Sequence, residues 1–250
     1  MRLEGQAAIV TGAARGIGCA IALGFAREGA CVVVNDCRTD GSAEALASTI
    51  CAEGGKALAL VSDIREPEGQ ERLISAALDA FSKLDILVNN AGVEFREPFL
   101  ETKPQTWDGT LAVNLKAPYF LSQKAAQAMM RSGGGKIINI ASVHDRIPLR
   151  ERSVYAISKA GIAMLTKSLA LELAEHGIKV NAISPGAILT DMNRESLSKP
   201  ENLNRVLGKI ALKRIGCAQD VVGAAVFLAC SESDYVTGST LYVDGGMLLY

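Results

Sequence analysis

Tyr155 and Lys159 stand four residues apart in a stretch of helical period, so their side chains share a face and can meet. A phenol with an ordinary pKa of about 10 is a poor proton shuttle at neutral pH; an ammonium beside it favours the phenolate and moves it toward acid/base work. The same spacing also describes an exposed tyrosine beside a surface lysine, so the pair acquires meaning only from its neighbours. One neighbour is Ser142, delivered just past the carboxyl end of a strand-like run at 136–140. A hydroxyl there can bond a substrate oxygen and orient it toward Tyr155, although a serine at a strand end also serves as a plain turn residue.

A second set of residues lies near the amino terminus. A strand ending in Val10-Thr11 runs into Gly12-Ala13-Ala14-Arg15-Gly16-Ile17-Gly18, which opens a helix. Glycines there let the backbone turn sharply and approach a pyrophosphate, while the helix N-terminus offers free N–H groups. The spacing departs from the GxGxxG fingerprint, and a tight strand-to-helix connection is the plain alternative. Asp36 follows the next strand, 18 residues after Gly18. A carboxylate at that tip accepts both ribose hydroxyls of an adenosine and repels a 2′-phosphate, so NAD is expected over NADP. Arg15 and Arg38 could each reach a 2′-phosphate and keep NADP possible. Asp63-Ile64 and Asn89-Asn90-Ala91-Gly92 close the third and fourth strand readings, again at carboxyl ends, where open α/β sheets hold their ligands.

These residues need elements to position them. Short runs rich in Val and Ile read as strands at 7–10, 31–35, 57–61, 86–89, 136–140, 179–183 and 240–243. Helical periods fall between them at 16–28, 42–53, 68–81, 104–131, 154–176 and 218–229. The alternation predicts an α/β fold: a single-domain, Rossmann-like, doubly wound sheet of about seven parallel strands with helices on both faces. No linker or repeat breaks it, so residues 1–250 are expected to form one dinucleotide-binding domain. The weakly patterned stretch 187–213 is long enough to be a substrate lid.

Composition removes several classes of function. With 26 basic and 27 acidic residues the net charge is -1, and no basic run tracks along a helix, so nucleic acid is not an expected partner. Six cysteines without a CxxC pair and only two histidines exclude a structural zinc spacing and read as reduced cytosolic thiols. The start MRLEGQAAIV lacks the features of a secretory signal, and no segment approaches the roughly 18 continuous apolar residues of a membrane span. A cytoplasmic protein with no membrane partner is expected.

The motifs TGAARGIG at 11–18, Asp63, NNAG at 89–92, Asn114, Ser142, YAISK at 155–159, Asn181, Pro185-Gly186, Thr190 and DGG at 244–246 together resemble the short-chain dehydrogenase/reductase family over nearly the whole chain. The resemblance implies that Tyr155 is the general acid/base, that Ser142 positions the substrate oxygen, and that Lys159 binds the nicotinamide ribose and lowers the tyrosine pKa. It implies that Asn114 holds a water linking Lys159 to solvent and that Asp63 contacts adenine. The 89–92 segment would support the cofactor cleft, and Pro185, Gly186, Ile188 and Thr190 the nicotinamide carboxamide. It also implies a homotetramer packed through the helices around 111–130 and 154–174. The apolar end Met247-Leu248-Leu249-Tyr250 fits burial at a subunit interface, or a frayed tail.

The segments at 142–145, at 185–193 and at 244–250, together with Glu94, resemble the glucose 1-dehydrogenase branch of that family. A sugar needs many polar partners, and Glu94, His144 and Asn193 are candidates to supply them. Glu94 and His144 also read as ordinary loop residues. The expected reaction is oxidation of a sugar C1 hydroxyl to the lactone. Arg146, Arg150, Glu151 and Arg152 make the segment before Tyr155 more charged than that branch leads one to expect, which leaves another polyol, aldose or acidic sugar open. A 3-oxoacyl-thioester reductase acting on acyl carrier protein shares the catalytic motifs but calls for NADPH, which Asp36 disfavours. A catalytically dead nucleotide-binding scaffold is the non-enzymatic alternative, and intact Asn114, Ser142, Tyr155 and Lys159 argue against it.

Overall fold

Apolar residues alternate sides along each predicted strand, and the alternation is what lets one sheet bury both faces. In the computed structural model, which describes residues 1–191 and 193–249, those strands form one sheet in the order β3-β2-β1-β4-β5-β6-β7, every pairing parallel. The strands are β1 (Ala7–Val10), β2 (Cys31–Asp36), β3 (Lys56–Val61), β4 (Ile86–Asn89), β5 (Gly135–Ile140), β6 (Ile178–Pro185) and β7 (Thr240–Val243). Ala8, Val10, Val32, Val34, Ile86 and Val88 face α1 (Gly16–Arg27), α2 (Ser42–Ala52) and the late helix Gln219–Ala229. Ile9, Val33, Leu87, Ile137 and Val180 face the other way, onto α3 (Pro67–Phe81) and the helices that follow β4 and β5. Strand order reverses between β1 and β4, so a crevice opens at their carboxyl ends, where the predicted site residues lie.

The single helix expected over 104–131 is three pieces. α4 (Pro104–Leu111) passes into a π-helical turn, Ala112–Lys116, and then α5 (Ala117–Arg131). The Ala117 N–H reaches back five residues to the Ala112 carbonyl, and Pro118, just beyond, has no N–H to restore the four-residue ladder. Asn114 sits inside that turn.

α6 (Ser153–Leu173) carries Tyr155 and Lys159 and continues as a 3₁₀ turn to His176. The span Ser153–His176 has the length and hydropathy of a membrane-crossing helix. It lies instead along β5 and β6, burying Ile162, Leu165 and Ala170.

The stretch 187–213 holds two short helices, α7 (Arg194–Leu197) and α8 (Pro200–Leu207), with no buried residue in either. Its ends are pinned together: Ile188 bridges Gly216, the Leu189 N–H donates to the Gly216 carbonyl at 2.8 Å, and the Gly216 N–H donates to the Ala187 carbonyl at 2.9 Å. Ile210 is buried with Val143 and Met247. Helix Gln219–Ala229 is α9. The C-terminal residues through Leu249 form a 3₁₀ turn with Met247 buried and Leu249 exposed; Tyr250 lies outside the described residues.

Candidate active site

The turn between β1 and α1 accepts only glycine at two points. Gly12 has a φ of +59°, and a Cβ there would lie 2.8 Å from Ala91 Cα; one on Gly18 would lie 2.4 Å from Asn90 Nδ2. Ala91 crowds Gly12 and Asn90 crowds Gly18. Asn90 Nδ2 donates to the carbonyls of Thr11 at 2.8 Å and Gly12 at 3.0 Å, while the Asn90 and Ala91 N–H groups donate to Thr11 Oγ1 at 3.0 and 3.1 Å. Fully buried Thr11 therefore joins the phosphate turn to the 89–92 segment, a role that reading the sequence for candidate ligands missed.

The turn fits a pyrophosphate. Arg15 occupies the N-cap of α1 without a side-chain capping bond, and the first turn has no acidic residue, so the leading N–H groups stay open to an anion. Ile17 packs against the core, and Gly16 lies beside Thr190, whose Cγ2 is 3.5 Å from where a Cβ would stand. Arg15 Nη1 is 3.9 Å from Asp191 across the cleft.

Asp36 is the last residue of β2 rather than the residue after it, and it is buried. Its Oδ1 accepts the N–H and Nε–H of Arg38 at 3.1 and 3.3 Å, and its Oδ2 accepts the Ala14 N–H at 3.4 Å. The carboxylate expected to repel a 2′-phosphate thus already has a cation on it. Arg65 Nε reaches both oxygens of Asp63, at 3.0 and 2.9 Å, and this pairing holds the Asp63 carboxyl below its usual range. Asp63 is thus already engaged by Arg65, and Ile64 is buried in the core.

At the other end of the crevice, Asn114 Oδ1 accepts the Val93 N–H at 2.8 Å, and its Nδ2 donates to the Val93 carbonyl at 2.9 Å and to Ser158 Oγ at 3.0 Å. Ser158 Oγ in turn donates to the Tyr155 carbonyl at 2.7 Å. Asn114 so ties the exit of β4 to the helix of Tyr155, and Ser158 is a second residue that motif reading passed over. A Cβ on Gly92 would lie 3.4 Å from Asn114 Oδ1 and 3.7 Å from Lys159 Nζ, which places that glycine beside both.

Ser142 is buried just past the end of β5; its Oγ accepts the His144 N–H at 3.2 Å, and its hydroxyl acts to lower the Tyr155 pKa. The effect expected of Lys159 on the phenol differs from what the fold produces. Burial pushes Tyr155 up to about 12, opposed by the Ser142 hydroxyl, raised further by Glu94 and lowered by Arg152. Burial likewise pushes Lys159 down to about 8, opposed by Glu94 and Asp145. Lys159 Nζ donates to the Ile140 carbonyl at 2.7 Å and lies 5.7 Å from the Tyr155 ring centroid. The ammonium is turned toward a backbone carbonyl, so desolvation rather than a charge pair governs the resting phenol.

The predicted substrate residues separate. His144 stands edge-on to Tyr155, ring centroids 6.3 Å apart, with Nδ1 3.0 Å from the Ile147 carbonyl. Glu94 forms an ion pair with Arg152, both side chains mostly buried and both acting on Tyr155. Asn193 turns away from that role: its Oδ1 accepts the Thr190 N–H at 3.0 Å and its Nδ2 donates to the Ile188 carbonyl at 2.7 Å. That amide holds the turn following β6, where Pro185 ends the strand and the Gly186 N–H donates to Val243. A cavity of about 470 Å³ beside Cys31 and Lys56 lies at the amino ends of the strands and shares no lining residue with this site.

Residues 12–248 match the family described as enoyl-(acyl carrier protein) reductase. The chain belongs to the short-chain dehydrogenase/reductase family. Among family members it is 38% identical to an L-rhamnose 1-dehydrogenase (NAD(P)(+)) of Sphingomonas sp. (strain SKA58), over 98% of this chain and 97% of that one. It is 40% identical to glucose 1-dehydrogenase 2 of Bacillus subtilis (strain 168), covering 99% and 95%. A gluconate 5-dehydrogenase from Burkholderia cenocepacia J2315, solved with NADP and tartrate, superposes with a TM-score of 0.95 at 36% identity, covering 100% and 97%. As a short-chain dehydrogenase/reductase the protein is an NAD(P)-dependent oxidoreductase acting on an alcohol or carbonyl.

Proposed function

We propose that the protein oxidises the C1 hydroxyl of a neutral aldopyranose to the lactone. The observation that carries this reading is the polar set around Tyr155. The contact between His144 Nδ1 and the Ile147 carbonyl calls for a proton on Nδ1, and the other ring nitrogen, Nε2, remains for a substrate hydroxyl. The Glu94–Arg152 pair adds a carboxylate and a guanidinium with no net charge. A 3-oxoacyl chain would desolvate that ion pair without replacing its contacts, whereas hydroxyl groups can satisfy it.

In the oxidation Ser142 would orient the reacting hydroxyl, and Tyr155 would take its proton only after releasing its own phenol proton to solvent; an oxidised nicotinamide, when bound, would supply the hydride acceptor and a positive charge that favours the phenolate. With its phenol neutral at rest, Tyr155 is also the proton donor for the reverse reduction. The turn at Gly12, Gly16 and Gly18 would hold the pyrophosphate, and Lys159 the nicotinamide ribose. Asp36 favours NAD, and Arg38 on its carboxylate leaves NADP acceptable. Residues 187–213, closed at their base by the Ile188–Gly216 bridge, serve as the lid. The exposed apolar residues of α5 and α6 support a homotetramer.

Absorbance of reduced cofactor across a panel of neutral aldoses, polyols, aldonates and 3-oxoacyl esters, each with NAD and NADP, tests the assignment. Neutral aldoses with NAD are expected to give the highest kcat/KM, and Tyr155→Phe to lower it by a factor on the order of 10³ while leaving cofactor binding intact. A panel without aldose turnover removes the substrate; full activity in Tyr155→Phe removes the proton path.

A further inference from the structure

An arginine is an unfavourable N-cap. Its side chain cannot accept the open N–H groups of the first turn, and its charge adds to the positive end of the helix dipole. Arg152 nevertheless occupies the N-cap of α6 with no side-chain capping bond, and the first turn of that 21-residue helix contains no acid. The residue before it, Glu151, has a φ of +61°, a left-handed conformation that costs a non-glycine residue free energy. Two contacts hold that turn in place: Arg96 pairs with the Glu151 carboxylate, and the Glu97 N–H donates to the Glu151 carbonyl at 2.8 Å. The segment after β4 and the segment before α6 are thus clasped together. Within the clasp, Arg152 is directed onto Glu94, their side chains 21% and 19% exposed, against 66% and 37% for the outer Arg96–Glu151 pair.

Two sources of positive potential, the guanidinium and the helix end, therefore converge three residues before Tyr155, and a carboxylate of the protein's own fills the position. We propose that Arg152 is a latent carboxylate-binding site that Glu94 keeps closed, and that this pair makes the enzyme select neutral over anionic sugars. The inference deepens the aldose reading and rests on it for the word sugar. The charges acting on Tyr155 and Lys159 are Glu94, Arg152 and Asp145. Arg152 is matched by Glu94, Asp145 accepts bonds from Ser184 Oγ at 2.8 Å and Tyr242 at 3.2 Å, and the Lys159 ammonium is turned onto the Ile140 carbonyl at 2.7 Å, so the guanidinium beside Tyr155 is closed to an arriving aldonate. It would have to displace Glu94 and bring a second anion beside it.

Calorimetric titration of D-gluconate into the NAD-saturated enzyme tests this without requiring turnover. Glu94→Gln frees the guanidinium and is expected to tighten gluconate binding by on the order of tenfold or more, the usual gain from one charge-assisted contact. The double variant Glu94→Gln/Arg152→Met should lose that gain. Glu94→Asp, which keeps the charge but retracts it by one methylene, should give a smaller gain and covers the case in which Glu94→Gln fails to fold. The proposal is overturned if neither variant binds gluconate more tightly, if the double variant keeps the gain, or if the parent enzyme already prefers gluconate to a neutral aldose. Gain of gluconate binding in an enzyme inert on every aldose would remove the C1-oxidation reading and leave the latent site standing.

Discussion

Tyr155 and Lys159 are driven in opposite directions by one cause, since burial disfavours the charged form of each. Their spacing is legible in the sequence; the direction in which the phenol moves is not, because desolvation depends on what packs around the pair. Lys159 yields a prediction. Folded, it titrates near pH 8; unfolded, near 10.5. Between those values the unfolded chain holds a proton that the folded chain has released, so stability rises with pH across the window, by about 3 kcal/mol for this group. Denaturant melts from pH 7.5 to 10.5 should show Lys159→Met lacking that rise relative to the parent. Parallel curves would show that the lysine is not desolvated as the structure has it. The roles of Thr11 and Ser158 were missed for a related reason: although both fall inside quoted motifs, TGAARGIG and YAISK, they hold backbone and other side chains, and those partners come from distant or folded segments.

The element with most influence on the site is the π-helical turn at Ala112–Lys116. It turns Asn114 toward Val93 and Ser158, and so links the exit of β4 to α6. Asn114→Ala would leave the Val93 N–H and carbonyl without this partner. We expect a loss of roughly 2–4 kcal/mol of stability, and a fall in kcat of about 100-fold as Tyr155 moves off line. Thermal melts and steady-state rates check both, and unchanged kcat in a folded variant would mean that the clamp does not position the tyrosine. From sequence, 104–131 reads as one helix because its periodicity continues through the turn, and Pro118 was the available signal of a break. The amide of Asn193 was likewise legible as polar, but its use on Ile188 and Thr190 depends on the path of the chain after β6.

Across the whole molecule, Ile157, Met164 and Leu171 recur at seven-residue intervals on α6 and are exposed, Leu171 at 83%. Tyr119 and Phe120 of α5 are exposed as well. A stripe of this kind, repeated on a helix whose opposite side is buried in the sheet, needs a partner to leave water. Under the homotetramer proposal, Met164→Glu together with Leu171→Glu should reduce the mass measured by sedimentation to that of a smaller species, the charged side chains being costly to bury at a subunit contact. An unchanged mass would move the interface elsewhere.

The sequence alone determined the sheet, because Val- and Ile-rich runs alternating with helical periods leave few ways to bury both faces. It also supplied the candidates for the proton chemistry and the phosphate turn, because Tyr155, Lys159 and the glycines at 12–18 combine with several other motifs in one order along the chain. Only the tertiary structure decided what surrounds them. Glu94 and Arg152 lie 58 residues apart in the chain, and they pair because the exits of β4 and β5, adjacent strands in the sheet, bring their loops together. Arg38 on Asp36 and Arg65 on Asp63 are local in sequence, yet their effect on cofactor choice depends on carboxylates held at strand ends. Local pattern sets which groups are present; burial and long-range pairing set their charge, their partners and the ligand they will accept.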